Sequence, residues 1–292
     1  MPATSLPHPK VNRLHAPAAV LLMGTGDSVD DDNRGLRVKR HYRLLALVPV
    51  VALAVLASTD CGRSAPPATQ GTASKRVDPE TAATIRGQVV FTGPVPKTAA
   101  IAMSSDAFCV HANPGQPIDD SVLVGPEGGL QNVFVYVKDD LSAYGFDKPA
   151  GPGRLEQKGC RFTPHVIGLR VGQTLELANR DETLHNVHAI TKVNDDFNLG
   201  ATPGAVVTRT FTAPETMITF KCDVHSWMTA YAGVLAHPYF AVTDASGRFE
   251  LKRLPPGEYA LAAWHEKFGE RLERVRVGPS ETKEIRLTFT GA

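Results

Sequence analysis

From residue 84 onward the chain is cut into short apolar or alternating runs, each closed by a glycine, proline or small polar residue within a few positions. Such runs lie at 84–91, 131–137, 166–171, 174–177, 206–211, 217–220 and 232–235, and again at 240–243, 248–251, 259–264, 273–277 and 283–288. β-Branched and aromatic residues with a period of two, bounded by turn residues, specify strands. Val171-Gly172-Gln173-Thr174 and Pro255-Pro256-Gly257 read as tight turns between neighbouring strands. No long amphipathic helical pattern competes. The pattern predicts an all-β protein of many short strands, and the 25 glycines and 22 prolines supply the turns. Between residues 92 and 130 there is no sustained period, which predicts a long, partly ordered excursion carrying Cys109.

With 292 residues and 42% hydrophobic content the chain can bury one or two cores. Its 31 Lys and Arg balance 30 Asp and Glu, so charge makes no case for nucleic acid or for an acidic partner.

One stretch carries chemistry. In Lys221-Cys222-Asp223-Val224-His225-Ser226-Trp227-Met228 a thiol, an imidazole and a thioether follow at three-residue intervals after a strand-like run. That is a soft donor set suited to copper, and a mononuclear electron-transfer site needs one Cys and two His in a plane with a weak axial Met. The second imidazole is expected from His185, in Asn179-Arg180-Asp181-Glu182-Thr183-Leu184-His185-Asn186-Val187-His188. His188 lies three residues beyond His185, so in an extended segment its side chain takes the opposite face and is expected at the surface or behind the ligands. His165 and His237 stand alone in sequence. Their default is structural, although with His188 they leave a second, His-rich copper or zinc site open.

The Asn-Arg and His-Asn-Val-His phrases, together with the closing Cys-x2-His-x2-Met, resemble the cupredoxins, the blue copper proteins of the amicyanin and plastocyanin type. The resemblance covers residues 86–237 at fold level and is specific at 159–187 and 219–234. It implies a Greek-key β-sandwich holding one type 1 copper through His185, Cys222, His225 and Met228. It also implies that Asn186 ties the two ligand loops by hydrogen bonding, and that an exposed His225 is the electron-exchange edge. Asp223-Val224 departs from the small polar residue and proline usual in that family.

The last 55 or so residues, with Val242-Thr243-Asp244, Gly247-Arg248-Phe249 and Leu254-Pro255-Pro256-Gly257-Glu258-Tyr259, resemble the carboxypeptidase-regulatory or transthyretin-like β-sandwich modules of exported bacterial proteins. Such a module implies stability or docking without chemistry of its own. Trp264-His265-Glu266-Lys267 is its one polar cluster, expected to be a solvated strand end, with a recognition edge as the alternative.

Ahead of these, Arg37, Lys39, Arg40 and Arg43 precede an apolar run from Leu44 to Ala57, the order of an export signal. Cleavage after Ala57 would give a soluble periplasmic protein; cleavage at Cys61 would give a lipid-anchored one, of the outer membrane for example. Asp60 departs from the small residue expected before a lipidated cysteine. The expected organisation is an extension or upstream start at 1–34, a signal peptide at 35–60, a flexible linker at 61–82, a copper domain at 83–237 and the C-terminal module at 238–292. If Cys61 is the anchor and Cys222 a ligand, Cys109 and Cys160 remain as a disulfide pair in an oxidising compartment. The competing pairing, Cys160 with Cys222, would leave His225 and Met228 without a metal.

These features point to an exported one-electron carrier that meets a c-type cytochrome or a membrane oxidoreductase. Copper capture with the same ligands, and a non-catalytic surface module binding carbohydrate, are the alternatives. No nucleophile–base pair or two-metal set suggests an enzyme.

Overall fold

The computed structural model describes residues 75–115 and 117–291; the basic segment, the apolar run and Cys61 lie outside them. The described chain is all-β apart from one short helix and one 3-10 turn. Its strands begin with β1 (Ala83–Thr92), β2 (Phe134–Val137), β3 (Gly153–Gln157), β4 (Phe162–Thr163) and β5 (Val166–Arg170). They continue with β6 (Thr174–Asn179), β7 (His185–Ile190), β8 (Phe197–Ala201), β9 (Val206–Thr210), β10 (Glu215–Lys221) and β11 (Thr229–Leu235). The last are β12 (Phe240–Val242), β13 (Arg248–Leu254), β14 (Gly257–His265), β15 (Gly269–Val277) and β16 (Thr282–Thr290).

Four sheets form, with strand orders β13-β1-β16, β12-β2-β14-β15, β5-β11-β10-β7-β8 and β4-β3-β6-β9. Three apolar clusters lie between them. Val135, Val137, Leu261, Leu251 and Phe289 belong to the cluster between the first two sheets. Leu155, Leu177, Val187, Phe220 and Ala232 belong to the cluster between the last two. The third joins Phe134, Tyr136 and Ala262 to Val166 and Leu235, and so lies between the two sandwiches. Strand β2 explains the stacking. Its side chains alternate, Val135 and Val137 entering one cluster and Phe134 and Tyr136 the other, so an unbroken apolar strand is buried on both faces.

The sandwiches approach closely at two glycines. Gly168 and Gly233 are register partners in the parallel pair β5–β11, and a Cβ on Gly233 would stand 2.3 Å from the Phe134 ring. A Cβ on Gly168 would meet Phe240 at 2.3 Å.

Two expectations change here. Strands β1 and β2, expected in the copper domain, pair instead with the C-terminal strands: β1 with β13 and β16, β2 with β12 and β14. The sheets therefore do not divide at residue 237. Apolar patterning shows that a strand is buried but not which strand it meets. Trp264-His265-Glu266-Lys267 is also not a solvated strand end. His265 is buried, and Glu266 is hydrogen-bonded to His165 and to the Tyr231 hydroxyl of the neighbouring sandwich.

The excursion between β1 and β2 is ordered in part by a helix, α1 (Ala107–Ala112), whose N-cap is Asp106. The Asp106 carboxylate accepts from the amides of Phe108 (2.8 Å) and Cys109 (3.2 Å). Cys109 is disulfide-bonded to Cys160, and Cys222 is free and buried.

Candidate metal centre

Strands β7 and β10 are antiparallel neighbours with Lys221 opposite His188, so the start of β7 and the end of β10 meet at one end of the sheet. His185 opens β7 and Cys222 follows β10 directly. The loop from Cys222 to β11 closes on itself: the Met228 amide donates to the His225 carbonyl (2.9 Å) and the Cys222 amide to the Met228 carbonyl (3.2 Å). Two short spacings in sequence thus become one cluster in space.

The cluster is buried. Nδ1 of His185 lies 2.9 Å from Nδ1 of His225, and the Cys222 sulfur stands 3.9 Å from the first and 3.8 Å from the second. Donors held about 2.0 Å (nitrogen) and 2.3 Å (thiolate) from one ion in a trigonal plane would stand roughly 3.5–3.7 Å apart. The two sulfur–nitrogen separations come near that spacing, and the 2.9 Å between the nitrogens is about 0.6 Å short of it, so the imidazoles would part slightly around an ion. Met228 is buried in the apolar cluster of the same sandwich.

The far edges of both rings are tied to carboxylates. His185 Nε2 donates to Asp181 at 3.0 Å, and His225 Nε2 donates to Asp106 at 3.0 Å. A carboxylate only accepts, so each neutral ring carries its proton on Nε2 and turns an Nδ1 lone pair inward. Two lone pairs and a thiol then converge, with the thiol proton alone to share among them. A cation bound by the three atoms relieves that crowding. Burial, the largest influence, lowers the His185 pKa below its ordinary value, which favours the neutral ring that can ligate.

The carboxylates are themselves fixed. Asp181 accepts from the amides of Gly159 (2.7 Å) and Cys160 (2.8 Å), while Asp106 accepts from the Thr183 hydroxyl at 2.8 Å as well as capping α1. The Cys109–Cys160 disulfide therefore links the two backbone segments that hold the two carboxylates. Two further groupings of potential donor atoms each combine one of these histidines with a half-cystine, whose sulfur is already spent in the disulfide.

Asn186 bridges the segments that carry His185 and Cys222: its Oδ1 accepts from the Asp223 amide (2.6 Å) and its Nδ2 donates to the Asp223 carboxylate (2.9 Å). Asp223 also takes hydrogen bonds from Asn198 and His188, and these lower its pKa. His188 is thereby turned to the surface, away from the cluster. His165 pairs with Glu266, and His237 packs on Tyr239; neither falls in a group of three possible metal ligands among the described residues.

One expected role is corrected. His225 is not an exposed edge: it is 1% exposed, covered by Asp106 and the capped helix. Trp227 packs against it, ring centroids 5.0 Å apart, and donates its indole N–H to the Cys160 carbonyl at 3.0 Å. Asp106 and Asp181 were not singled out from sequence. Asp181 lies four residues before His185, a spacing that could have marked it; Asp106 is 119 residues from its partner.

No protein-family profile and no curated protein matches the chain. Among solved structures, a copper-containing nitrite reductase from Thermus scotoductus SA-01 is similar over 33% of this chain and 24% of its own, at 22% identity and a TM-score of 0.27. The chain thus spans about a quarter of that reductase. An oxidised amicyanin variant is similar over 29% of this chain and 83% of its own, at 20% identity and a TM-score of 0.27. A purple cupredoxin from Nitrosopumilus maritimus is similar over 28% and 98%, at 18% identity and a TM-score of 0.25.

Proposed function

We propose that this is an exported copper protein that carries single electrons, and that His185, Cys222, His225 and Met228 would hold the copper. The convergence of two inward Nδ1 atoms and one free cysteine sulfur in a buried, carboxylate-braced cluster carries the reading. Copper bound there supplies a Cu(II)/Cu(I) couple. The chain's part is to hold the donors still. Asp106 and Asp181 fix the tautomer and tilt of each imidazole, Asn186 locks the two ligand segments, and the β-sandwich excludes water from the sulfur.

A cytochrome of the c type or a membrane oxidoreductase fits as partner, and the export signal read from residues 35–60 fits a location outside the cytoplasmic membrane, free or anchored at Cys61. The test is the absorption spectrum of the metal-free protein titrated with Cu(II), followed by voltammetry. Intense visible thiolate-to-copper absorption with a reversible one-electron wave supports the carrier. Copper capture is the second reading, favoured by the covered His225. It predicts tight binding without a reversible wave.

A further inference from the structure

A cavity of about 420 Å³ lies beside the loop that follows Cys222, lined among others by Ser226, Trp227, His165, Glu266, Asp119 and Lys267. The copper reading uses none of these groups except as neighbours. Glu266 is nonetheless a built feature: its side chain is 9% exposed, hydrogen-bonded to His165 Nε2 and, at 3.3 Å, to the Tyr231 hydroxyl. Burying a carboxylate is costly unless it is paired, and this one is paired at the wall of a cavity. Asp119 is held in place by the Ser121 amide at 2.8 Å. Trp227 is fixed by its hydrogen bond to Cys160 and is only partly buried, so the indole forms a rigid apolar wall.

We infer that this cavity is a binding site for a small, neutral, hydroxylated aromatic molecule such as a hydroquinone or catechol. An indole offers a face on which a single ring stacks, and carboxylates accept hydroxyl hydrogens. Asp120 is paired with Arg161 at 2.6 Å and Glu266 with His165 and Lys267, while Asp119 has no cation within 4 Å among the described residues and disfavours an anionic ligand there. A metal ion fits poorly, because no three of the cavity's His, Asp and Glu donor atoms come within 4.8 Å of one another. The Trp227 ring that would carry the ligand also touches His225, so an occupant sits one side chain away from the copper ligands.

This site goes beyond the copper reading and is tested without metal. Calorimetric titration of the metal-free full chain with hydroquinone, under anaerobic conditions, should show one molecule bound per chain. Glu266→Gln and Trp227→Leu should each weaken binding at least tenfold, and cyclohexane-1,4-diol, which has the hydroxyls without the ring, should bind at least tenfold more weakly than hydroquinone. Asp119→Asn, on a separate loop, should weaken binding several-fold and serves if Glu266→Gln does not fold. No binding of hydroquinone, or binding that folded Trp227→Leu and Asp119→Asn leave unchanged, overturns the site. Copper titration of the same preparations reads the metal centre separately.

Discussion

The Asp106 carboxylate holds His225 by a 3.0 Å hydrogen bond across 119 residues of sequence. The same side chain caps α1, so the segment that covers the His–Cys cluster also orients one of its imidazoles. Burial alone would raise this carboxyl, but hydrogen bonds from Thr183, His225 and the amides of Cys109 and Phe108 bring its pKa down to about 2. It is therefore an anion at any physiological pH.

Removing Asp106 should act on the metal more than on the fold. Asp106→Ala is expected to weaken copper affinity about 10–100-fold, the usual effect of losing a partner behind a ligating histidine. It should also cost about 1 kcal/mol as a lost helix cap. Asp106→Asn, which can still cap, should recover the stability and only part of the affinity; competition with a copper chelator and urea unfolding separate the two.

Cys222→Ser should abolish the visible charge-transfer band, whereas His188→Ala should leave it nearly unchanged, since His188 faces Asp223 at the surface. A band that survives Cys222→Ser would remove that thiolate from the ligand set.

Acid should weaken the metal-free protein well before its carboxylates titrate. Burial lowers both His237 and His265 to about 4, below the unfolded value of 6.5. The unfolded chain thus binds more protons between those values, so their contribution is complete above pH 6.5 and is lost as pH falls to about 4. Each is worth on the order of 3 kcal/mol over that window. Urea unfolding across pH 7 to 4 should show the slope, and His265→Asn should flatten it.

The disulfide joins residues 51 apart in sequence. Replacing Cys109 and Cys160 together by Ala should cost about 2–5 kcal/mol in denaturant unfolding. It should also speed copper loss to a chelator, because the Cys109 and Cys160 amides bind the two carboxylates that brace the histidines.

Where the sandwiches meet, Gly233→Ala should destabilise by about 1–3 kcal/mol, because the new methyl group must displace the Phe134 ring. The copper spectrum should not change, since Gly233 lies in β11 away from the ligand loop.

Cys222, His225 and Met228 could be read together because their loop is local, and His185 through the Asn-Arg and His-Asn-Val-His phrases around it; that its strand pairs with the strand before the loop emerges only in the structure. The all-β pattern was likewise legible in short alternating runs. Long-range partnership was not. Strand β1 reads as buried, yet nothing local says that its neighbours are β13 and β16. The unbroken apolar run Val133-Phe134-Val135-Tyr136-Val137 did hold a clue, since a strand apolar on both faces must be covered on both. Asp106 looked like any polar loop residue; its role exists only after α1 is laid over the sandwich.

The interleaving of β1 with the C-terminal strands also constrains how the chain can fold as it is made. Residues 153–235 carry both sheets of the sandwich that holds the His–Cys cluster and can close as soon as they emerge. Strand β1, synthesised earlier, has neither backbone neighbour until β13 and then β16 appear, the latter ending at Thr290. It must wait as an unpaired apolar edge through most of synthesis, so the first of the described strands to be made is among the last to be protected from association with other chains.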